Sequence, residues 1–492
     1  MKTDTSIHRR RMRQNLLTSC LALALAGGTG IAGATPGAAG WTSAPPAPRS
    51  FATGPRINAR AEEWKRLHPP PPAHPDGGVI HVVTNCNNAG AGSLRDAVTA
   101  AADGDTIDLA SLACSSITLT TGTLATGADN LALVGPGRDL LTISGDNAGP
   151  VFVHVGSGQL SLTGLTVVSG AKYSNTTESA PGGCIYSQGS VFMDDAGAKY
   201  CTAQANGTGD ALGGAVYARA GAVLFESTIS GSTAHSVDGG ASGGGLYSPG
   251  PVLAKYSIFR NNTASTDGGG GFGGAAFLGG DVTITRSTIQ GNTAGSIGGL
   301  ALTGSSATGN LVINNSTITD NYGSNSLFGG GVYFGSNATV SNSTITGNVE
   351  ANTVDSKYGG GLSAKYPTTI DLNSSIVSGN SLFDGSTHFP SDIGAAGAAN
   401  PPTITGSHNL VGYAESGLPG DTLMTSDPRL GPLSSEGGPT PTMPPLTGSL
   451  AFNAGAGGGD YDQRGPGYPR LVGTGVDIGA FESDALLIDG FD

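Results

Sequence analysis

The sequence predicts an all-β protein in which short parallel strands wind into a three-sided coil. Two observations lead to this prediction: a composition rich in glycine and poor in helix-forming residues, and an internal repeat. Glycine occurs 83 times in 492 residues, while charged residues make up 12 % and aromatic residues 6 % of the chain. Such a composition favours short strands and tight turns over helices.

The repeat is clearest in the string "RSTIQGNTAG" from Arg286, which recurs in similar form as "NSTITDN" from Asn315 and "NSTITGN" from Asn342. A period of about thirty residues is typical of stacked structural repeats rather than of separate domains. Aligning the repeats on the central isoleucine of this string gives eight positions: Val167, Ala198, Ile229, Phe259, Ile289, Ile318, Ile345 and Val377.

Each repeat contains three short apolar pieces. The first follows paired glycines, as in "GGCIYS" from Gly182; the second is an apolar pair such as Leu160 and Leu162; and the third contains the aligned residue. The second member of each pair lies five residues before the aligned position. Because strand side chains alternate between two faces, both residues can face inward only if the chain turns a corner between them. Three pieces and three corners predict one turn of a three-sided coil per repeat.

A polar position lies three residues beyond each aligned residue. After Gly170, Cys201 and Ser232 it is an asparagine on five consecutive turns. Stacked asparagines can pass amide hydrogen bonds from turn to turn and tolerate left-handed backbone at a corner. We therefore expect a structural ladder formed by Asn262, Asn292, Asn321, Asn348 and Asn380.

The first 78 residues carry the pattern of an exported chain. Residues 1–34 combine the basic stretch "HRRRMR" with an apolar run and small residues up to Ala34, which predicts a secretory signal peptide. The alternative, a membrane anchor, is disfavoured because the run is shorter than the roughly 20 residues that a span requires. Residues 35–78 contain ten prolines and predict an extended or disordered linker.

Residues 79–415 are predicted to form the coil. It begins with the strand "VIHVVTN", followed by a short helix with Ser93 as N-cap and Asp96 three residues later. A helix at this place can cover the open end of the stack. Residues 416–484 predict a small Gly/Pro-rich module, and residues 485–492 a short tail with a sorting or processing role.

Four cysteines remain after residue 34: Cys86, Cys114, Cys184 and Cys201. An even number in an exported protein predicts disulfides, of which three pairings are possible. We favour the local pairing of Cys86 with Cys114 and of Cys184 with Cys201. The cysteines lack the spacing of a metal site, and no cofactor motif is present, so the sequence predicts neither metal nor cofactor.

Charge excludes one class of partner. The formal charge is −13, and removing the five basic residues and one acidic residue of the leader changes it to −17. Binding of nucleic acid requires a basic surface, so nucleic acid is not expected as a partner. No segment after the leader is predicted to cross a membrane, and we expect a monomer.

The repeats resemble those of right-handed parallel β-helix proteins of the pectate-lyase-like superfamily, particularly the repeats of polymorphic outer-membrane proteins. "GAGSLRDAVTAAADGDTIDL", residues 90–109, is similar to the start of exported bacterial members. "SDPRLGPLSSEGGPTPTMPPLTGSLAFNAG", "DQRGPG" and "DIGAFE" resemble the choice-of-anchor Q domain. The resemblance implies a secreted or surface-attached right-handed three-sided parallel β-helix and no particular reaction.

Polysaccharide lyases and hydrolases use this fold and need carboxylates, often with a basic residue or calcium, on one outer face. Candidates lie three residues before the aligned position on four consecutive turns: Asp195, Glu226, Tyr256 and Arg286. The two carboxylates could act as an acid–base pair or hold a cation. The favoured alternative is a solvated corner with varied polar residues. The seven histidines after the leader stand at unrelated repeat positions and predict no hydrolase triad.

The strand after the paired glycines carries a second candidate column. If its first apolar residue faces inward, the next residue faces outward; it is aromatic in five repeats, with Leu302 interrupting the series: Tyr186, Tyr217, Tyr247, Phe277 and Tyr333. An exposed aromatic strip can stack on the apolar faces of sugar rings. The alternative is an aromatic ladder buried beneath glycine-rich loops.

The sequence therefore predicts an exported, noncatalytic coil that presents a long surface for adhesion or glycan binding outside the cell or on its surface. Its expected partners are polysaccharides or cell-surface glycans. The alternative function is that of a polysaccharide lyase or glycoside hydrolase on the same scaffold.

Overall fold

Short strands of two to five residues stack on their equivalents in neighbouring repeats, so that each repeat adds one rung to several long sheets. The structure is a computed structural model that describes residues 78–302, 309–324, 328–351, 359–365, 368–395 and 401–483. These residues belong to one compact unit, Lys65–Asp492. The predicted leader, nearly all of the linker and the tail 485–492 lie outside the described residues.

We name the sheets A to D in the order in which one turn of the chain meets them. Sheet A has twelve strands: Ile80–Val82, Asp105–Asp108, Leu131–Val134, Gln159–Thr163, Ser190–Asp194, Gly221–Phe225, Val252–Lys255, Val282–Thr285, Leu311–Asn314, Ala338–Ser341, Thr369–Asn373 and Thr403–Ser407. Sheet B also has twelve: Ser116–Thr118, Thr142–Ser144, Thr166–Val168, Gly197–Lys199, Thr228–Ser230, Ile258–Arg260, Thr288–Gln290, Thr317–Thr319, Thr344–Thr346, Ile376–Val377, Leu410–Val411 and Leu423–Met424.

Sheet C has nine strands: Ala171–Ser174, Thr202–Ala205, Thr233–Ser236, Thr263–Thr266, Thr293–Ala294, Tyr322–Gly323, Val349–Ala351, Ser381–Phe383 and His388–Pro390. Sheet D has ten: Leu124–Thr126, Phe152–His154, Ile185–Ser187, Val216–Ala218, Leu246–Ser248, Ala276–Leu278, Leu300–Leu302, Val332–Phe334, Leu362–Ala364 and Ile393–Ala395. A three-stranded sheet lies between C and D in the chain: Ala180–Pro181, Ala211–Leu212 and Ala241–Ser242.

The predicted all-β coil of stacked parallel strands is confirmed. Sheets D, A and B are formed by the three apolar pieces predicted for each repeat, whereas the short strands of sheet C are a fourth element that the sequence did not predict. The number of sides of the coil therefore stays a prediction. The strand Leu423–Met424 pairs with Leu410–Val411 and adds a rung beyond residue 415, where the sequence places the end of the coil.

The predicted register is confirmed residue by residue. Sheet B pairs Val167 with Ala198, Ile289 with Ile318, and so on through all eight aligned positions. All eight side chains are at most 1 % exposed. They form the core with the inward residues of sheets A and D, such as Leu162 and Ile185. Burial of these stacked apolar columns is the main favourable contribution to folding.

Left-handed backbone makes the two corners that flank sheet B. The residue three before the aligned position has a φ between 43° and 53° on seven consecutive turns, from Asp195 to Ser374. The residue two positions after the aligned residue also has a left-handed backbone, with φ of 57° at Tyr200 and 64° at Gly291. The ladder asparagines themselves are not left-handed, contrary to our expectation; the residue before each of them is. A non-glycine residue in this conformation costs roughly 1–2 kcal/mol, so the stacked turns must impose it.

The asparagine ladder forms as predicted inside the corner after sheet B. Asn292 Nδ2 donates to Asn321 Oδ1 over 2.9 Å and to the carbonyl of Phe259 over 3.0 Å. The backbone N–H of Asn292 donates to the same Asn321 oxygen over 3.1 Å. Equivalent bonds link the members from Asn262 to Asn380. The ladder thus satisfies buried backbone groups that the corner would otherwise leave unpaired.

A second ladder, which the sequence reasoning missed, lies at the corner before sheet B. The N–H of each serine donates to the Oγ of the serine on the next turn, over 3.1 Å between Ser257 and Ser287. Its members are Ser227, Ser257, Ser287, Ser316, Ser343 and Ser375. The signal was present in the sequence as a serine two residues before the aligned position on each of these turns.

The predicted helix and the predicted disulfides are both present. The helix Leu94–Ala100 begins after Ser93, whose Oγ accepts from the N–H of Asp96 over 3.2 Å, and it buries Leu94 and Val98 in the core. The two disulfides are Cys86–Cys114 and Cys184–Cys201, the local pairing. Of the helices in the described ranges, none is long and apolar enough to span a membrane.

The asparagine ladder ends on a carboxyl group. Asp392 Oδ1 accepts from Asn380 N and Nδ2 over 2.8 and 2.7 Å, as an asparagine oxygen does on the other turns. Burial raises the pKa of the Asp392 carboxyl to about 6, and its hydrogen bonds with Asn380 oppose the rise. A charged group therefore occupies a place that the rest of the ladder fills with a neutral amide.

Replacing a central ladder residue, Asn321→Leu, should lower the free energy of unfolding by roughly 3–5 kcal/mol, because several buried donors and acceptors lose their partners. Urea denaturation measures the change. Asn310→Leu, at an exposed asparagine in the same repeat, is the control and should change stability by less than about 0.5 kcal/mol. A loss below about 1 kcal/mol for Asn321→Leu would show that the amide bonds do not hold the corner.

Asp392→Asn should raise the free energy of unfolding at pH 8 by about 2 kcal/mol relative to the unsubstituted protein. The raised carboxyl pKa means that the folded state holds a proton that the unfolded state has lost, so stability falls as pH rises from about 4 to about 6. The gain should vanish near pH 4. Asp384→Asn is the control, because hydrogen bonds from Thr387 and Ser386 lower the pKa of Asp384, and it should bring no gain at pH 8. Equal gains at pH 4 and pH 8 would contradict this account.

Candidate functional site

The structure brings Asp195, Glu226, Tyr256 and Arg286 together as one column at the corner between sheets A and B. The N–H of each donates to the strand-end carbonyl of the next turn, as from Asp195 to Phe225 over 3.1 Å. All four adopt the left-handed backbone that makes this corner. The column is therefore a structural position that each turn must fill, whatever residue it carries.

Asp195 is held by an arginine that the sequence reasoning did not single out. Arg138 Nε lies 3.4 Å from Asp195 Oδ1, and the Arg138 N–H donates to Asp195 Oδ2 over 3.3 Å. The guanidinium also donates to the backbone carbonyl of Glu226, one turn further on. Burial raises the pKa of the Asp195 carboxyl, and the positive charge of Arg138 opposes the rise. Arg138 lies 57 residues from Asp195 in the sequence, so no local motif links them.

The other half of the column is covered. Tyr256 is 7 % exposed, and its ring lies near two cations, with Lys255 Nζ at 5.6 Å and Arg286 Cζ at 5.9 Å from the ring centre. Arg286 donates to the carbonyls of Tyr461 and Asp462 over 3.1 and 3.0 Å. Arg286, the least repeated residue of its string, thus binds the C-terminal module.

Two lysines lie beside the column. Burial lowers the pKa of Lys199, with Asp139 opposing this and Arg138 adding to it. Burial also lowers the pKa of Lys255, helped by Arg286. The outer surface here carries mixed charge, with Asp195 paired to Arg138, Tyr256 buried and Arg286 bound to the C-terminal module. Among the described residues, no three His, Cys, Asp or Glu side chains converge as metal ligands would.

The second predicted column forms a stack of four rings on the outer face of sheet D. Tyr186, Tyr217, Tyr247 and Phe277 stand in register on consecutive turns. Successive ring centres lie 5.3, 5.3 and 5.4 Å apart, and the planes of the last three rings differ by 7° and 4°. This spacing is close to the roughly 4.8 Å between strands. We call these four residues the aromatic row.

The aromatic row is half-buried and presents ring edges to solvent, because each inner ring face lies against the next ring. Burial raises the pKa of the Tyr217 and Tyr247 hydroxyls. Gln188 Nε2 donates to the Tyr186 hydroxyl, and Arg219 donates to Gln188 Oε1 over 2.8 Å. The row therefore offers a line of hydroxyl groups flanked by an amide and a guanidinium.

The row ends after Phe277, which corrects two assignments. Phe277 pairs with Ala301, not Leu302; Leu302 pairs with Leu278 and is 4 % exposed, inside the core. The glycine pair of that repeat is shifted by one residue, which misled the alignment. Tyr333 pairs with Ala301 but is 3 % exposed. It packs against Phe328 at 5.2 Å and is not part of an exposed strip.

Comparison with known proteins agrees with this architecture. The family described as "Right handed beta helix region" matches residues 185–381.

The coil is a right-handed parallel β-helix.

A solved structure of the pectate lyase Pel9A is also similar, with 14 % identity over 83 % of this chain and 96 % of that one and a TM-score of 0.38. A similarity of this size does not transfer an activity to this β-helix. No curated protein matches the sequence. The resemblance of residues 416–484 to a choice-of-anchor Q domain stays a prediction.

The C-terminal module is built around the two motifs on which that resemblance rests. From "DQRGPG", Arg464 Nη2 lies 2.6 Å from Asp462 Oδ2. From "DIGAFE", the N–H of Glu482 donates to the same Asp462 oxygen over 2.9 Å, and Glu482 Oε2 accepts from the N–H of Asp477. Burial raises the pKa of Glu482 to about 7. These charged side chains are buried, so the motifs form the interior of the module.

The module covers the outer face of sheet B on the later turns of the β-helix. Thr317 Oγ1 donates to Gln463 Oε1 over 2.6 Å, and Gln463 Nε2 donates to Thr288 Oγ1 over 3.1 Å. The N–H of Ala480 donates to Thr344 Oγ1 over 3.0 Å. These threonines share one column and are at most 1 % exposed. The second residue of the "ST" string is thus the docking position for the module.

Thr317→Val should lower the free energy of unfolding by about 1–3 kcal/mol, because the buried Gln463 oxygen loses its donor. It should also speed protease cleavage within residues 416–483. Thr228→Val changes the same column on an earlier turn, where the Oγ1 atom makes no hydrogen bond within the described chain, and should do neither. Equal effects of the two substitutions on stability and cleavage would show that the module is not held through this column.

Proposed function

We propose that this β-helix is an exported protein that binds polysaccharide along the aromatic row of sheet D without cleaving it. The observation that supports the proposal is the repetition of one kind of group on four consecutive turns, with ring centres 5.3 to 5.4 Å apart. A ligand built of repeating units can use such a row more fully than a small molecule can. Each turn contributes one contact, and the contacts act together.

The chemistry of the row suits sugars in a particular way. The inner ring faces are already stacked on one another, so the contacts available to a sugar chain are ring edges and the hydroxyls of Tyr186, Tyr217 and Tyr247. Gln188 and Arg219 add further donors at one end. A glycan lying parallel to the coil axis would hydrogen-bond to this line of groups.

Two further observations support export and the absence of polysaccharide cleavage. Two disulfides are stable in an oxidising compartment, which fits the predicted leader. In the column with the two carboxylates, Asp195 is paired with Arg138, Tyr256 is buried and Arg286 holds the C-terminal module. An acid–base pair needs side chains that can reach the substrate, and this column is engaged in contacts that hold the fold.

The double substitution of Tyr217→Phe and Tyr247→Phe should weaken polysaccharide binding by about tenfold, because it removes two hydroxyls and leaves the ring stack. Affinity electrophoresis against a panel of neutral and acidic polysaccharides measures the change. Tyr333→Phe removes a hydroxyl from the buried tyrosine of the same sheet and should leave binding unaltered.

Two results would contradict the proposal. The first is that no polysaccharide of the panel retards the unsubstituted protein. The second is that the protein releases new reducing ends or unsaturated sugars from the panel and loses this activity in Asp195→Asn, which would support the lyase or hydrolase alternative.

A further inference from the structure

Stacking brings a serine, a histidine and an aspartate together on the outer face of sheet C. His235 and Ser265 are direct neighbours in the register of this sheet. His235 Nδ1 lies 3.1 Å from Ser265 Oγ, and His235 Nε2 lies 3.3 Å from Asp267 Oδ1. The three side chains thus form a continuous chain of hydroxyl, imidazole and carboxylate.

The carboxylate decides which imidazole nitrogen can act as a base. With Asp267 beside Nε2, the proton of the neutral ring is favoured on Nε2, where it is donated to the carboxylate. The lone pair of Nδ1 then faces the Ser265 hydroxyl and can accept its proton. This is the arrangement by which a histidine activates a serine nucleophile, with the two ring nitrogens in exchanged roles.

In the described chain, two other histidines have Nδ1 within hydrogen-bond distance of a serine hydroxyl. Each of them lacks part of the arrangement at His235. His154 Nδ1 lies 2.7 Å from Ser187 Oγ, but the ring is fully buried and its Nε2 contacts backbone carbonyls. His388 Nδ1 lies 2.8 Å from Ser381 Oγ and is exposed, yet its other contact is the ring of Phe383. Only His235, among these three, has both a carboxylate on its far nitrogen and partial exposure.

The cluster is open to solvent. The His235 side chain is 28 % and that of Asp267 61 % exposed. The cluster of Ser265, His235 and Asp267 lies on sheet C, whereas the aromatic row lies on sheet D. Sequence reasoning missed this contact because His235 occurs once in its column and is not a repeat, although His235 and Ser265 both stand six residues after the aligned position on neighbouring turns.

We propose that Ser265 is a nucleophile that accepts an acyl group from a small ester, with His235 as general base and Asp267 as a positioning residue. Ser265 Oγ forms a bond to the ester carbonyl carbon, and its proton passes to His235 Nδ1. The bond from that carbon to the alkoxy oxygen breaks, and the leaving alcohol takes the proton from His235. Water then hydrolyses the acyl–serine by the same route in reverse and releases the acid.

A fluorophosphonate probe tests this proposal on the full chain. Attack by Ser265 Oγ forms a phosphorus–oxygen bond and expels fluoride, while the hydroxyl proton passes to His235. Mass spectrometry of the peptides identifies the modified serine and the rate of modification. We expect Ser265 to be modified and its rate to exceed that of Ser381, the serine whose histidine has no carboxylate partner.

Substitutions in the cluster test whether Ser265 reacts because His235 activates its hydroxyl or only because the hydroxyl is exposed. Ser265→Ala should abolish the modification at this peptide, and His235→Gln should slow it by about 100-fold. Asp267→Asn should slow it by about tenfold, since an exposed carboxylate contributes less than a buried one, and Asp267→Glu should restore most of the rate. All three positions lie on the outer face, and the unfolding temperature of each of the four variants checks the fold. Modification of Ser265 no faster than of Ser381, or an unchanged rate in Asp267→Asn, would overturn the proposal.

Discussion

The register between successive turns is the constraint on which the rest of this structure depends. Each strand forms hydrogen bonds only with the equivalent strands on the turns before and after it. Every repeat must therefore place its strands at equivalent positions around the coil. Two left-handed corners achieve this by holding sheet B between fixed bends, at Glu226 and Gly231 for example. A single residue gained or lost within sheet A or sheet B would turn inward residues outward, so variation in repeat length falls in the loops. The constant spacing of five residues between the apolar pair of sheet A and the aligned residue of sheet B is therefore a direct expression of the fold.

Buried amides and hydroxyls stabilise those corners. A coil that turns sharply leaves backbone groups without strand partners, and the ladder from Asn262 to Asn380 supplies partners from side chains. The serine ladder does the same at the preceding corner. Both ladders face inward and are repeated, which is why the most conspicuous strings in the sequence are structural. Binding or chemistry is left to the outward columns, where a residue can change without breaking the stack.

The outward-facing columns of the different sheets make different kinds of contact. On sheet B the later turns bind the C-terminal module through a threonine column, and Arg286 belongs to this contact. Sheet D carries the aromatic row, and sheet C carries the cluster around His235. Covering part of sheet B buries polar groups that then need partners, and the buried Asp462 and Arg464 of the module lie close to this contact. The module is thus part of the folded coil and not an independent appendage, because its interior and its docking face share residues 462 and 463.

The repeat, the aligned core residues, the asparagine ladder and the short N-terminal helix could be predicted from sequence alone, whereas for the disulfides the sequence only favoured the local pairing among three possible ones. Periodicity carries this information because equivalent residues in a stacked coil share one environment. The contacts of the single, unrepeated residues became visible only in the folded chain. Arg138 reaches Asp195 across 57 residues, and Arg286 contacts a module 175 residues away. Such contacts depend on where loops and the module fold back over the coil, which no local pattern records; the shifted register at Ala301 shows that even a strong pattern can mislead by one residue.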